Sequence, residues 1–250
     1  MRTPVTADTR GAVALVTGAN RGIGYAIAAG LGRLGYLVIV GARDRDRGET
    51  AVERLRTEGV DARCCQLDVS DPQSVTRATA EITASPGRLD VLVNNAAIKL
   101  EFHPAPPSQT PLEVVRETYE TNVFGTMRVI QALLPLLLAS PAGRIVNMSS
   151  GLGSLSLATT PGSKYQLKPM LGYNTAKAAV NALTVQFANE LRGTTVKVNA
   201  ADPGYVRTDM TRNDGVRLPE QGAAVAILLA TLPDAGPTGR WFDERGPVPW

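Results

Sequence analysis

Thiol and imidazole side chains are scarce in this sequence of 250 residues, which has two cysteines and one histidine. Cys64 and Cys65 are adjacent, and neighbouring cysteines rarely form a disulfide with each other. We interpret both as buried strand residues in a reducing cytosol. With so few ligands we predict no metal site, and His103, in a proline-rich loop, is given no catalytic role.

Strong charge imbalance and long apolar runs are also missing. The formal net charge is +3 and the pI is about 9.0, which suits an anionic cofactor but is far below the basic footprint of a nucleic-acid partner. The longest greasy stretch, 133–138, is too short to span a bilayer, and the N-terminus lacks the apolar segment of a signal peptide. We therefore predict a cytoplasmic protein with neither a nucleic-acid partner nor a membrane.

What the chain does have is a regular alternation of apolar strands and amphipathic helices. It predicts an α/β fold in one domain, residues 1–250, with a polar tail at 1–10 and an extended loop at 151–171. The fold class is a single Rossmann-type, doubly wound parallel sheet of about seven strands, order 3-2-1-4-5-6-7, with helices on both faces. The predicted strands are 12–16, 36–40, 62–69, 89–93, 144–148, 196–200 and 240–242.

A glycine-rich turn, 17–24, joins the first strand to the first helix. Gly18 reverses the chain where a Cβ would clash, Gly22 lets a ligand approach the backbone, and Gly24 lets the helix pack closely on the strand. The free N–H groups at the helix start suit a pyrophosphate. An ordinary loop is the alternative, but the position between a strand and a helix favours dinucleotide binding.

Further motifs follow the predicted strands in order: Asp68, residues 94–97, Asn122, Ser150, Tyr173, Lys177, Pro203 and Gly204. Together with the glycine turn they resemble the short-chain dehydrogenase/reductase family from the first strand to about Met210. Within the family the likeness is strongest to the carbonyl reductase branch, through residues 42–52 and the long segment before the helix at 172–191. One departure is Ala97, where the family usually has glycine, which implies slightly different packing beside the adenosine ribose.

The resemblance implies NADPH-dependent reduction of a ketone or aldehyde to an alcohol by hydride transfer. Tyr173 would be the general acid, and Ser150, with Ser149 as the competing candidate, would hydrogen-bond the carbonyl oxygen. Lys177 shares a helix face with Tyr173, so it would lower the pKa of the phenol and bind the nicotinamide ribose. Asn122 would anchor a water that links Lys177 to solvent.

The choice of cofactor depends on the end of the second strand. Arg43 suits the 2′-phosphate of NADPH, with Arg21 on the same side. Asp44 could instead accept from the 2′-hydroxyl of NAD unless it caps the next helix. Asp68 would accept from the adenine amino group unless it too is a helix cap. The predicted cofactor-binding residues are Gly18, Asn20, Arg21, Gly22, Ile23, Gly24, Arg43, Asp68, Val69, Asn95, Ala96, Tyr173, Lys177, Pro203, Gly204, Val206 and Thr208.

The substrate pocket is predicted between residues 98–102, 151–155, parts of 159–171, and 205–216, with Leu152, Tyr205 and Met210 binding the substrate. Since no pair of arginines stands out as a carboxylate clamp, we expect a small uncharged carbonyl compound. Two other functions stay open: an NAD(P)-dependent alcohol dehydrogenase working oxidatively, and a cofactor-sensing regulatory protein.

The 151–171 segment is too apolar for a merely solvated loop. We expect it to fold over the pocket mouth and to lie along the helix at 172–191. It would then obstruct pairing through that helix, which favours a monomer, with a dimer as the alternative.

Overall fold

The computed structural model describes residues 11–103, 105–166 and 168–250, so the prediction of a polar tail at 1–10 lies outside the described residues. Its strands form one sheet in the order β3-β2-β1-β4-β5-β6-β7-β8, parallel except for the antiparallel β8. The strands are β1 (Val13–Thr17), β2 (Leu37–Ala42), β3 (Ala62–Gln66), β4 (Val91–Asn94), β5 (Arg144–Met148), β6 (Lys197–Ala201), β7 (Arg240–Asp243) and β8 (Gly246–Pro247).

Helices cover both faces of this sheet. Helices α1, α2 and α8 lie on the face that Ala14 and Val16 of β1 line, while Val13 and Leu15 face the opposite layer, where α3, α5 and α7 lie. Burial on both faces explains why β1 and β2 are continuous apolar runs. The helices are α1 (Gly22–Arg33), α2 (Arg45–Thr57), α3 (Pro72–Ala84), α4 (Leu112–Tyr119), α5 (Gly125–Ala139), α6 (Leu155–Thr159), α7 (Leu171–Glu190) and α8 (Pro219–Ala230).

The predicted parallel sheet and its strand order are confirmed through β7, but the structure adds an eighth strand. Strand β8 is only two residues long and pairs with β7 through Phe242 and Asp243 in a tight hairpin. Two residues, one of them Pro247, are too short for a periodic signal. The two cysteines lie on β3 as predicted, both as free thiols, with Cys65 buried and Cys64 half-buried.

The helical run Leu112–Ala139 has the length and apolar composition that would allow a helix to cross a membrane. Here α5 packs against α3 and against the strands β4 and β5, and Val129, Ile130 and Leu133 are buried in the core of that face. Its apolar character is therefore accounted for by packing inside the domain. A π-helical turn, Glu120–Phe124, joins α4 to α5.

The predicted extended loop at 151–171 is more regular than expected. It opens with a 3₁₀ turn (Gly151–Gly153) and continues into α6. The turn does pack on α7, but α6 is fastened to the C-terminal residues: the Ser154 hydroxyl donates to the Pro249 carbonyl at 2.7 Å and the Ser156 N–H donates to the Trp250 carbonyl at 3.0 Å. The expectation that the whole segment lies along the long helix is therefore wrong for α6.

Candidate active site

The hydroxyl of Thr17 joins the two loops that leave β1 and β4, where the strand order reverses. It accepts the N–H groups of Asn95 and Ala96 at 3.0 and 2.9 Å. The Asn95 side-chain amide donates in turn to the carbonyls of Thr17 and Gly18. Ligands of open parallel sheets bind at such a reversal point, so these bonds hold the floor of a cofactor cleft.

The glycine turn has the geometry that the sequence predicts. Gly18 and Gly22 have φ of +64° and +55°, a region that favours glycine. A Cβ on Gly24 would lie 2.4 Å from the Gly18 carbonyl oxygen, so α1 packs directly on the turn. The N-terminus of α1 has no side-chain cap and no acid in its first turn. Its N–H groups are thus available to an anion.

Two arginines flank this turn, and they differ in whether their guanidinium groups form an ion pair. Arg43, just after β2, is exposed, and among the described residues no ion pair engages its guanidinium. Arg21 forms an ion pair with Asp209, although both side chains are 62% exposed. An exposed pair contributes little to stability, so Arg21 can exchange this partner for another anion at low cost.

The acids that competed for cofactor roles are now placed. Asp44 accepts the N–H of Arg47 at 3.1 Å and caps α2. Asp71, rather than Asp68, caps α3. One carboxylate oxygen of Asp68 accepts from the N–H and the hydroxyl of Ser70, which leaves the other for a ligand. The helix-cap alternative therefore holds for Asp44 and is wrong for Asp68.

The two neighbouring serines after β5 lie in different environments. Ser149 is buried, and its hydroxyl donates to the Asn181 side chain at 2.6 Å. The hydroxyl of Ser150 accepts the N–H of Leu152 at 3.3 Å, and a hydrogen bond between Ser150 and Tyr173 draws the pKa of that phenol down. Ser150 is therefore the serine that the fold brings to the tyrosine.

Tyr173 and Lys177 are both buried on α7. The Lys177 Nζ donates to the Met148 carbonyl at 2.7 Å and lies 5.7 Å from the centroid of the Tyr173 ring. Burial lowers the pKa of Lys177 to about 8 and raises the pKa of Tyr173 well above its ordinary value. The predicted depression of the Tyr173 pKa by Lys177 is not found: burial and then the charge of Asp202 raise that pKa, and the opposing influence is the hydrogen bond with Ser150.

Asn122 lies in the π-helical turn between α4 and α5, and its side chain is already occupied. Its amide exchanges two hydrogen bonds with the backbone of Ile98, at 2.8 and 2.9 Å. The backbone carbonyl of Asn122 accepts the Thr126 hydroxyl at 2.8 Å, and a carbonyl oxygen has a second lone pair. Any water at this residue is therefore expected at the carbonyl oxygen rather than at the side chain.

A loop after β6, residues 205–217, reaches across the cleft. It is closed at its base by a bridge between Val206 and Arg217, and its tip is the 3₁₀ turn Asp209–Thr211. Thr208 lies against the glycine turn: a Cβ placed on Gly22 would be 3.4 Å from the Cγ2 of Thr208.

The remaining residues predicted to bind cofactor or substrate lie at the same edge of the sheet. Leu152 is in the turn beside Ser150, Met210 is at the loop tip, and Tyr205 is 52% exposed at the loop base. The others are Asn20 and Ile23 at the glycine turn, Val69 after β3, and Pro203, Gly204 and Val206 after β6.

Comparison with known proteins adds a family to this geometry. The family profile described as short chain dehydrogenase matches residues 12–217. This chain belongs to the short-chain dehydrogenase family. The resemblance seen in the sequence is thereby confirmed.

Three known proteins illustrate this membership. Carbonyl reductase (NADPH) 1 of Mus musculus is 36% identical over 279 aligned residues, covering 95% of this chain and 98% of that protein. The structure of NADPH-bound carbonyl reductase from chicken fatty liver is 27% identical, with a TM-score of 0.83 over 96% of this chain and 100% of that one. A gluconate 5-dehydrogenase from Burkholderia cenocepacia, in complex with NADP and tartrate, is 26% identical, with a TM-score of 0.81 over 94% and 93%.

Sequence reasoning missed one acid that reaches the reacting centre of this short-chain dehydrogenase. Asp202 is buried directly after β6 and accepts the Gly204 N–H at 2.9 Å and the Gly151 N–H. Its negative charge raises the pKa of both Tyr173 and Lys177, and burial raises its own. An acid immediately after a buried strand was the available signal.

Glu101 is the second acid that sequence reasoning missed. Its two carboxylate oxygens accept the N–H groups of Gly172 and Tyr173 at 3.1 and 2.8 Å. Helix α7 has no cap from its own N-terminal residue, Met170. Glu101 therefore caps the helix that carries the tyrosine, from a segment 71 positions earlier in the chain.

Proposed function

We propose that this short-chain dehydrogenase is an NADPH-dependent carbonyl reductase that reduces a small ketone or aldehyde to an alcohol. The observation that carries the proposal is the buried pair of Tyr173 and Lys177 with the half-buried Ser150 beside it, held at the same sheet edge as an uncapped helix N-terminus. The relatives named carbonyl reductase (NADPH) support the same reaction and the same cofactor.

The residues present fit NADPH. The uncapped N-terminus of α1, behind the left-handed glycines Gly18 and Gly22, would hold the pyrophosphate. Arg43, with its unengaged guanidinium, and Arg21 would hold the 2′-phosphate. The free carboxylate oxygen of Asp68 would accept from the adenine amino group. The cofactor, when bound, supplies the hydride that reaches the carbonyl carbon.

This chain's own residues handle the oxygen and its proton. Tyr173 donates its phenolic proton to the carbonyl oxygen as negative charge develops there, and the Ser150 hydroxyl donates a hydrogen bond to the same oxygen. A raised pKa keeps Tyr173 protonated before the reaction, which suits a proton donor. The hydride on carbon and the proton on oxygen together complete the alcohol.

Lys177 supports this transfer from its buried position. Its ammonium stabilises the phenolate that remains when Tyr173 gives up its proton. One of its three N–H donors binds the Met148 carbonyl, so the others are available for the nicotinamide ribose. A water at the Asn122 carbonyl would return a proton from solvent through Lys177.

The substrate itself is the least constrained part of the proposal. We keep the expectation of a small uncharged ketone or aldehyde that lies near Leu152, Tyr205 and Met210. The structural neighbours include a gluconate dehydrogenase as well as a carbonyl reductase, so the fold alone does not select a substrate.

We also keep three predictions from the sequence as proposals: one catalytic domain, a monomer and a cytoplasmic location. The free thiols of Cys64 and Cys65 support a reducing compartment. Fractionation of the native cells would test the location, and recovery of the protein with membranes would contradict it.

A panel of ketones, aldehydes and quinones, followed at the NADPH absorbance, tests the reaction. We expect turnover of some members with NADPH and much weaker turnover with NADH. If only alcohol oxidation with NAD(P)⁺ is detected, the oxidative dehydrogenase is the better description. Cofactor binding without turnover in either direction would favour the sensing protein, although the presence of Ser150, Tyr173 and Lys177 argues against it.

A further inference from the structure

Two cations lie against the ring of Phe102. The Nζ of Lys99 is 5.0 Å from the ring centroid, and the guanidinium carbon of Arg212 is 4.7 Å from it. Lys99 and Phe102 belong to the segment after β4, whereas Arg212 follows the tip of the 205–217 loop. We call Lys99, Phe102 and Arg212 the Phe102 cluster; it is where two predicted walls of the substrate pocket meet.

These cations have no anionic partner within the part of the chain that the structure describes. No carboxylate forms an ion pair with Lys99 or Arg212 there. Lys99 is half-buried, and burial together with the charge of Arg212 lowers its pKa. Phe102 and Arg212 are exposed, so the attraction of the ring for cations holds the two like charges together, and an anionic ligand would supply the opposite charge that they lack.

Two acids close to the cluster along the chain are engaged elsewhere. Glu101 lies between Lys99 and Phe102, but both its oxygens bind the N-terminus of α7. Asp209, near Arg212, pairs with Arg21. The exposed Asp214 lies two residues after Arg212 but forms no ion pair with it among the described residues. The Glu101 bonds place the cluster beside the N-terminus of the helix that carries Tyr173.

We propose that the Phe102 cluster binds a carboxylate at the far end of the substrate, so that the enzyme prefers keto acids or aldehyde acids. The inference rests on the proposed reaction, and it replaces the expectation of a wholly uncharged substrate with a substrate whose reacting carbonyl is uncharged and whose distal end is anionic. The planar guanidinium of Arg212 suits a carboxylate, and the face of Phe102 suits the apolar chain that joins the two ends. The fold thus brings together Lys99 and Arg212, which are far apart in the sequence.

Matched acids and esters test this directly. The probes are 4-formylbenzoate and 4-(4-formylphenyl)butanoate, each compared with its methyl ester and followed at the NADPH absorbance. Within a pair the aldehyde is the same and only the distal charge differs. We expect at least one acid to exceed its ester in kcat/KM by about fivefold or more, mainly through a lower KM.

Variants then assign the preference to the cluster. Lys99→Met and Arg212→Gln should each lower the acid-to-ester ratio of kcat/KM by about fivefold, whereas Arg212→Lys keeps the charge and should retain part of the preference. Arg192→Gln is the control, because it removes one exposed cation at the far end of α7. It should leave the acid-to-ester ratio unchanged, which separates local binding from general steering.

The outcomes separate this inference from the function on which it rests. Equal use of acids and esters, or an equal loss for both in the variants, would reduce the Phe102 cluster to a structural link between two loops. If none of the four probes is reduced while the broader panel gives turnover, the carboxylate site is likewise overturned. If nothing is reduced at all, the proposed function itself fails.

Discussion

Burial is the largest influence on the ionisation of Tyr173 and Lys177. It raises the pKa of the phenol, which keeps Tyr173 protonated and neutral, and it lowers the pKa of the amine to about 8, which brings the loss of the Lys177 charge close to neutral pH; neighbouring groups adjust these values further. Ser150 and Asp202 are the neighbours that do so, with opposite effects on the tyrosine. The ionisation of these two groups therefore depends on how deeply each is buried and on the few residues beside it.

Tyr173→Phe removes the proton donor but no contact with the cofactor phosphates. We expect kcat to fall by about a hundredfold or more, and the Kd for NADPH, measured by fluorescence, to change by less than about threefold. Tyr119→Phe, on α4, is the matched control and should leave kcat unchanged. A Tyr173→Phe enzyme that retains more than about a tenth of kcat would remove Tyr173 from the role of general acid.

Arg43→Asp tests the cofactor preference. A charge-assisted contact to phosphate contributes roughly 1.5–3 kcal/mol, so the NADPH-to-NADH ratio of kcat/KM should fall by about one to two decades. Arg45→Asp makes the same charge change in the first turn of α2 and should have a much smaller effect. An unchanged ratio in Arg43→Asp would shift attention to Arg21.

Asp202→Asn should move the alkaline limb of the pH profile. Reduction requires charged Lys177 and protonated Tyr173, and both states are lost as the pH rises. In the free enzyme the lower of the two is the Lys177 pKa, about 8, so kcat/KM should decline through that value. Asp202 raises both pKa values; its neutralisation lowers both, and the limb moves to lower pH.

Rate profiles between about pH 6 and 10 for the wild type, Asp202→Asn and the remote control Asp61→Asn would measure this shift. A limb that stays in place, or moves to higher pH, in Asp202→Asn would contradict the electrostatic role of Asp202.

At the scale of elements, the catalytic helix depends on a cap from outside itself. Helix α7 begins at Leu171 without a side-chain cap of its own, and Glu101 supplies both acceptors. Gly172 admits this arrangement, because a Cβ there would lie 3.3 Å from the Glu101 carboxylate and from the backbone of Val115. The segment after β4 and the helix that carries Tyr173 are thus coupled.

Glu101→Ala should destabilise the protein by about 1 kcal/mol and lower kcat, because two N–H groups at the start of α7 lose their acceptors. Glu101→Gln retains one acceptor oxygen and should show a smaller effect on both quantities. Urea unfolding and steady-state rates would be compared with Glu117→Ala, an exposed change on α4. If Glu101→Ala matches that control, the cap does not position the helix.

At the scale of the whole molecule, the segment before the catalytic tyrosine covers the start of α7 from outside. Gly153 abuts the backbone of Lys177, and the Asn174 side chain donates to the Lys168 carbonyl at 2.7 Å. Helix α6 then contacts the C-terminal residues, where the ring of Trp250 stacks on the ring of Trp241 with 5.7 Å between their centroids. We propose that this covering keeps the beginning of α7 from pairing with a second copy of the chain.

We accordingly expect a monomer of about 26.4 kDa by light scattering at micromolar concentration. A dimer through another face is the next expectation and would show twice that mass. A tetramer would mean that α7 is available for pairing, and the covering role of the 151–170 segment would be wrong.

The sequence by itself determined the sheet and the central pair of the site. Continuous apolar runs identify strands buried on both faces, and the spacing of four residues places Tyr173 and Lys177 on one helical face, because both patterns are local. The glycine turn could also be predicted from the sequence, because a left-handed backbone restricts the residue type at Gly18 and Gly22.

Only the tertiary structure decided which distant side chains meet. Glu101 reaches the start of α7, Asp202 reaches the tyrosine and lysine, and Arg212 reaches Phe102. Arg21 and Asp209 pair across 188 positions of sequence. Such contacts join loops whose proximity follows from strand order and loop closure, and no local periodicity records either of these, so the electrostatics of the site and its carboxylate preference became visible only in the folded chain.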